Sequence, residues 1–164
     1  MHALKPFPDA HVEAWADYSL LGAIAKNNKT LEVEFQLQGS IDELVWPELA
    51  TPRLRQDNLW ETTCLEFFFS EPGAVSYWEV NLSPCGHWNL YGFDDYRQGM
   101  RTETAIAALD IDSALTVDSA RLTCSVPIEA LSLKSDRLEV SLTAVLALKS
   151  GAISYWALDR KSVV

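Results

Sequence analysis

Cysteine is scarce in this chain. Cys64, Cys85 and Cys124 are the whole supply, an odd number with no CxxC spacing. That pattern indicates neither a disulfide framework nor a thiolate zinc site. Cys64 and Cys124 sit inside strand-like runs, where an inert buried thiol is the simplest reading. Basic residues are also few. Thirteen Lys and Arg against 23 Asp and Glu leave a net charge of −10. Such an excess repels phosphate backbones and anionic lipid surfaces, so neither nucleic acid nor membrane is expected as a partner. No apolar run approaches the length of a membrane span, and the most apolar stretch, 138–148, is strand-sized. Asp9, Glu13 and Asp17 break up the start of the chain, which leaves no uninterrupted apolar segment for a secretory leader. Together with the unpaired cysteines, this points to a reducing, cytoplasmic location. Enzyme signatures are missing too: there is no GxSxG, no HExxH and no glycine-rich phosphate loop. No catalytic residue, metal ligand or cofactor is therefore assigned from motifs.

The chain does contain enough apolar material for a core. Of its 164 residues, 48% are hydrophobic and 22% charged, the balance of an ordinary globular protein. A chain of this length folds as about one domain and buries roughly 70% of its open-chain surface, so 1–164 reads as a single domain. Alternation with period two dominates. Leu31, Val33, Phe35 and Leu37 alternate with Glu32, Glu34, Gln36 and Gln38, the mark of a half-buried strand. The apolar run 20–25 before it and the Lys26-Asn27-Asn28 turn complete a hairpin. A short strand is expected at 41–46, ending at Pro47. Residues 50–58 read as loop.

The block from Leu59 to Tyr96 predicts a three-stranded meander. Strands over 64–70, 76–83 and 87–93 are joined by Glu71-Pro72-Gly73 and Pro84-Cys85-Gly86. Further strands are expected over 102–111, 114–117, 121–127, 137–148 and 153–158, with one helical turn at 127–133. About ten short strands at such spacing predict an all-β fold, an antiparallel β-sandwich of jelly-roll type.

Sorting the meander by parity separates two faces. Leu65, Phe67, Phe69, Trp78, Val80, Leu82, Trp88 and Leu90 form a wholly apolar one, which must meet the partner sheet. Cys64, Glu66, Phe68, Tyr77, Glu79, Asn81, His87, Asn89 and Tyr91 form the other. Aromatics, amides and carboxylates on one rigid surface suit sugar rings: the rings cover C–H faces, while amides and carboxylates pair with hydroxyls. A solvated outer face with aromatic cross-strand pairs explains the same residues. So does a protein interface, where Tyr and Trp are enriched. Trp78 and Trp88 fall on the core parity. Trp60 and Trp156 are open to either role, core packing or exposed ring platforms. In Phe93–Gly99, Asp94 and Asp95 offer too few oxygens for calcium, and an Asp–Arg pair pinning the loop is expected instead.

The run Asp57-Asn58-Leu59-Trp60-Glu61-Thr62-Thr63-Cys64-Leu65-Glu66-Phe67-Phe68 resembles the central signature of DOMON-like domains, which are related to family 9 carbohydrate-binding modules. Tyr77–Pro84, Trp88–Tyr91, Phe93–Arg97 and Ser154–Leu158 are similar to later strands of the same group, in its mostly bacterial branch. The resemblance implies a β-sandwich binding a small saccharide-like ligand. It implies ring contacts from Trp60 and Trp156. It implies a hydroxyl contact from Glu66, to which the residues of the polar face add Glu79, Asn81 and Asn89, with Tyr91 walling the groove. Other branches bind haem, which requires Met or His ligands; of Met1, Met100, His2, His11 and His87, only His87 lies near the proposed face. A Glu66–Glu79 pair also matches the carboxylates of glycoside hydrolysis, a reading that a raised pKa on one of them would favour.

Overall fold

In the computed structural model, described for residues 1–8, 12–158 and 162–163, the chain is all-β. The strands are β1 His2–Pro6, β2 Ser19–Lys26, β3 Leu31–Gln38, β4 Cys64–Ser70, β5 Tyr77–Leu82, β6 Trp88–Phe93, β7 Arg101–Thr102, β8 Asp110–Leu115, β9 Ser119–Val126, β10 Glu139–Ala147, β11 Ile153–Ala157 and β12 Ser162–Val163. They form one curled sheet in the order β7-β6-β5-β4-β10-β11-β1-β2-β3-β9-β8, with β12 beside β10. All neighbouring strands run antiparallel.

The sheet folds back on itself at β1. Residues 2–4 of that strand pair with β2, and Lys5 and Pro6 pair with β11. The two halves close over a shared core: Leu20, Val33, Phe35, Leu122 and Val126 on one side meet Leu65, Phe67, Val80, Leu90, Leu142 and Leu146 on the other. Each set comes from alternate strand positions, as the period-two pattern requires. The halves approach closely at Gly22, where a Cβ would stand 2.6 Å from Leu142 Cδ1. The sequence expectation of an antiparallel sandwich is met.

Three local expectations are corrected. Residues 41–46 are not a strand. Ile41–Glu43 form a 3₁₀ turn, and only Leu44 bridges to Leu148. The stretch 102–111 is not continuous either: β7 stops at Thr102 and β8 begins at Asp110, with an irregular crossing between. Ala114 and Leu115 belong to the end of that same β8, not to a separate strand. The N-terminal strand β1 carried no clear alternation and was not expected at all. The helical turn after Pro127 is present as a 3₁₀ turn, Ile128–Ala130.

Candidate functional site

The second half of the sheet carries the chemistry on its outer face. Strand register fixes it in rows across β10, β4, β5 and β6. Thr143, Glu66, Asn81 and Asn89 form one row; Ser141, Phe68, Glu79 and Tyr91 form the next. Val145 and Cys64 pair on one side of these rows, and Tyr77 with Phe93 on the other. The parity sort therefore places Glu66, Glu79, Asn81, Asn89 and Tyr91 on one surface, opposite Phe67 and Trp88, which are buried. Trp78 also faces inward, half-buried and stacked on Phe69 with ring centroids 5.3 Å apart.

The face is only partly open, because the segment 49–63 folds over one end of it. That segment first guards the edge of β6: the Trp88 N–H donates to the Leu54 carbonyl at 3.1 Å, and the Gln56 N–H donates to the Trp88 carbonyl at 2.9 Å. His87 joins the same edge, its Nδ1 accepting the Leu54 N–H at 3.0 Å. Arg55 acts as a strut. Its guanidinium lies 4.1 Å from the Trp88 ring centroid and donates to Asn89 Oδ1 at 2.8 Å and to the carbonyls of Glu103 and Ile106 at 3.0 and 2.6 Å. Burial holds the Arg55 pKa below its ordinary value, against the pull of Tyr91, Glu103 and Asp57.

Asp57 then caps the face. Its Oδ1 accepts the Tyr91 hydroxyl at 2.6 Å and Asn89 Nδ2 at 2.8 Å, while Asn89 Nδ2 also donates to the Tyr91 oxygen at 2.8 Å. Burial, followed by the Asp57 bond and charge, pushes the Tyr91 phenol well above its ordinary pKa. Asn58 follows in left-handed backbone, φ 61°, which asparagine tolerates, and the 3₁₀ turn Leu59–Glu61 presents Trp60. The Trp60 ring, half-buried, sits 6.1 Å edge-on from Tyr91 and packs against the small cluster of Leu59, Cys64 and Val145.

In this geometry three of the expected ligand contacts are buried. Asn89, 2% exposed, spends both amide hydrogens on Asp57 and Tyr91, and its oxygen accepts from Arg55 and from the Leu90 N–H. Tyr91, 3% exposed, is likewise committed to Asp57. Both residues pin the loop to the sheet. Trp156 lies on the wrong side altogether. It pairs with Ala144, packs into the core and is 3% exposed, whereas its neighbour Tyr155, across from Val145, shares the Glu66 face and is exposed. Alternation within one short strand decides which ring reaches which side.

Trp60, Glu66, Glu79 and Asn81 remain close together. The Thr143 hydroxyl donates to Glu66 Oε2 at 2.8 Å. Burial raises the Glu66 pKa to about 7, with the Glu79 charge adding to it and the Thr143 and Cys64 bonds opposing. The Glu79 carboxyl is also raised by burial, against the Asn81 amide and the Arg97 charge. Asn81 is 1% exposed. Its Nδ2 donates to Glu79 Oε1 at 3.1 Å, and its Oδ1 is buried with no hydrogen-bond partner.

Beyond Thr143 the face opens into a groove of about 280 Å³ lined by Phe68, Val75, Tyr77, Tyr96, Ser141 and Thr143. Tyr77 stacks flat on Phe93, centroids 4.6 Å apart, and Tyr96 is 70% exposed. Neither tyrosine was singled out from sequence. Tyr77 stood on the polar parity but beside larger signals. Tyr96 reaches the groove only through the 94–98 turn, closed by the Asp94 N–H donating to the Gln98 carbonyl at 3.0 Å. The expected Asp–Arg pair exists, but Asp94 takes Arg101, at 2.6 Å, while Arg97 lies over the Tyr96 ring.

The fold is an antiparallel β-sandwich similar to those of solved carbohydrate-binding proteins. The chain aligns over 96% of its length with a candidate carbohydrate-binding protein from Bacteroides uniformis ATCC 8492, covering 79% of that chain at a TM-score of 0.64 and 16% identity. It aligns over 94% of its length with a family 9 carbohydrate-binding module from Caldicellulosiruptor kristjanssonii in complex with cellotriose, covering 70% of that chain at a TM-score of 0.53 and 10% identity. At such identities the likeness is one of fold. No family model matches the chain, and no curated protein sequence matches it.

Proposed function

We propose that the chain binds a small saccharide on the outer face of β10, β4 and β5. Trp60 covers a ring face, Glu66 and Glu79 accept hydroxyl hydrogens, and Asn81 accepts one more. Phe68, Tyr77 and Tyr96 extend the platform along the groove. The observation that carries this reading is the Asn81 carbonyl oxygen, an acceptor buried without a partner between two carboxyls. A buried polar atom left unpaired costs about 1–3 kcal/mol, and a ligand hydroxyl removes that cost. A concave groove with polar groups at one end suits a sugar better than a flat protein partner. The shared fold with a module that is in complex with cellotriose points the same way.

Calorimetric titration of the purified chain with glucose, cello-oligosaccharides and a wider glycan panel tests the proposal. Binding is expected for at least one member and is expected to fall at least tenfold in Trp60→Ala and Glu66→Gln. A folded protein that binds no member of the panel overturns the reading. One observation favours a second reading, hydrolysis: Glu66 holds its proton up to about pH 7, as a general acid must. Glu79 is raised as well, so the pair lacks the opposed environments that normally separate acid from nucleophile. Release of reducing ends on prolonged incubation, lost in Glu66→Gln, establishes hydrolysis; intact oligosaccharide leaves binding.

A further inference from the structure

Where β1 changes partners, the two halves of the sandwich part. His2 to Leu4 pair with β2, Lys5 and Pro6 with β11, and the Phe7 N–H donates to the Tyr155 carbonyl at 2.8 Å. A cleft of about 380 Å³ lies at this hand-over, among β1, the start of β2, the 3₁₀ turn Val12–Trp15 and β11. Apart from Trp156, which the sequence alone offered for saccharide, none of the residues named above for that ligand lines it. Leu4, Pro6 and Phe7 give it hydrocarbon walls.

Among the described residues, four buried side-chain polar atoms have no hydrogen-bond partner. Three of them, Trp15 Nε1, Ser154 Oγ and Trp156 Nε1, belong to residues lining this one cleft. Trp15 and Trp156 are 3% exposed and Ser154 is 0% exposed. Trp15 packs 5.3 Å from Tyr18, whose hydroxyl is taken by the Ser40 carbonyl at 2.8 Å. Tyr18 therefore has no hydrogen to spare for the cleft, and the two indoles and the serine are left to find partners elsewhere.

We infer that this cleft is a second binding site, for a small uncharged apolar molecule carrying a carbonyl oxygen. An indole N–H is a donor only, and a serine hydroxyl can donate, so the unpaired atoms call for an acceptor. A carbonyl oxygen has two lone pairs and brings no donor that apolar walls would strand. A sugar, with its surplus of hydroxyl donors, does not suit these walls. Lys5 and Glu13 also line the cleft and offset one another in charge, so nothing there selects an ion.

The test uses the full chain, ¹⁵N-labelled, with its indole N–H signals followed by NMR. Acetophenone is the probe and ethylbenzene its counterpart without the oxygen. Trp15→Phe and Trp156→Phe assign the two signals. Where either variant fails to fold, contacts from the acetophenone methyl group to the indoles assign them instead. Both signals are expected to move downfield, saturably, with acetophenone and not with ethylbenzene. Ser154→Ala is expected to weaken acetophenone about fivefold, the worth of one ordinary hydrogen bond. Two results overturn the inference: no saturable response to acetophenone, which leaves the donors to water, or ethylbenzene binding as tightly as acetophenone, which removes the donors from recognition. Either outcome is independent of saccharide binding on the outer face.

Discussion

Replacing Glu66 by glutamine should make the protein more stable at neutral and alkaline pH. The side chain keeps its shape and still offers an oxygen to the Thr143 hydroxyl. What disappears is ionisation at a buried position. The Glu66 pKa stands at about 7 against an ordinary 4.5. Below about pH 4.5 both folded and unfolded chains hold the proton, and the site carries no penalty. Between there and pH 7 the unfolded chain gives up its proton while the folded chain keeps it, so stability falls by about 1.4 kcal/mol per pH unit. Above pH 7 the loss is complete, at about 3 kcal/mol in total.

Urea unfolding of the wild type and Glu66→Gln at intervals from pH 4.5 to 8.5 reads this directly. The variant's advantage should be near zero at the acid end and grow to about 3 kcal/mol by pH 8. Taking the difference between the two proteins cancels groups of opposite sign, such as Glu34, whose pKa the Arg121 bond lowers. Two parallel stability profiles would refute the reasoning, since they would mean that Glu66 titrates as it does in the unfolded chain. The same linkage gives binding a signature. Ligand hydroxyls donate to the ionised carboxyl, so affinity for saccharide should rise as pH passes through 7, and the rise should vanish in Glu66→Gln.

Arg55→Met removes the guanidinium that ties Asn89 to the carbonyls of Glu103 and Ile106, and should cost about 3 kcal/mol in urea unfolding while raising proteolytic cleavage within 49–63. Tyr91→Phe leaves Asp57 and Asn89 without the phenol and should cost about 1–2 kcal/mol. If its affinity for saccharide falls well beyond what misfolding explains, Tyr91 is a ligand contact after all. Gly22→Ala places a methyl group against Leu142 and should cost about 1–3 kcal/mol by overpacking. Adding Leu142→Val should recover part of that loss, and strictly additive effects would show that the two side chains do not meet.

Strand parity was legible because period two is a covalent property of extended backbone, so Phe67 and Trp88 could be assigned inward and Glu66 and Asn89 outward before any coordinates. Whether an outward residue meets solvent is a separate question. It depends on a loop whose sequence, Ala50–Asn58, has no period at all. Arg55 and Asp57 read there as ordinary polar loop residues, yet they saturate Asn89 and Tyr91. Their role rests on contacts 32 to 34 positions along the chain, which no local pattern encodes. The side of the sheet that Trp156 takes was hidden for a simpler reason. In the alternating run Ser154-Tyr155-Trp156-Ala157, either ring can face inward until a register is known, and pairing with Ala144 settles it. The larger indole goes to the core, and the phenol, with its hydroxyl, stays outside. On the proposed reading, a saccharide on this face would meet Tyr155 where an indole was expected. On that geometry Tyr155→Ala should weaken saccharide binding more than Trp156→Phe does. The reverse order, measured on folded variants of equal stability, would show that the ligand approaches from the other side of the sheet.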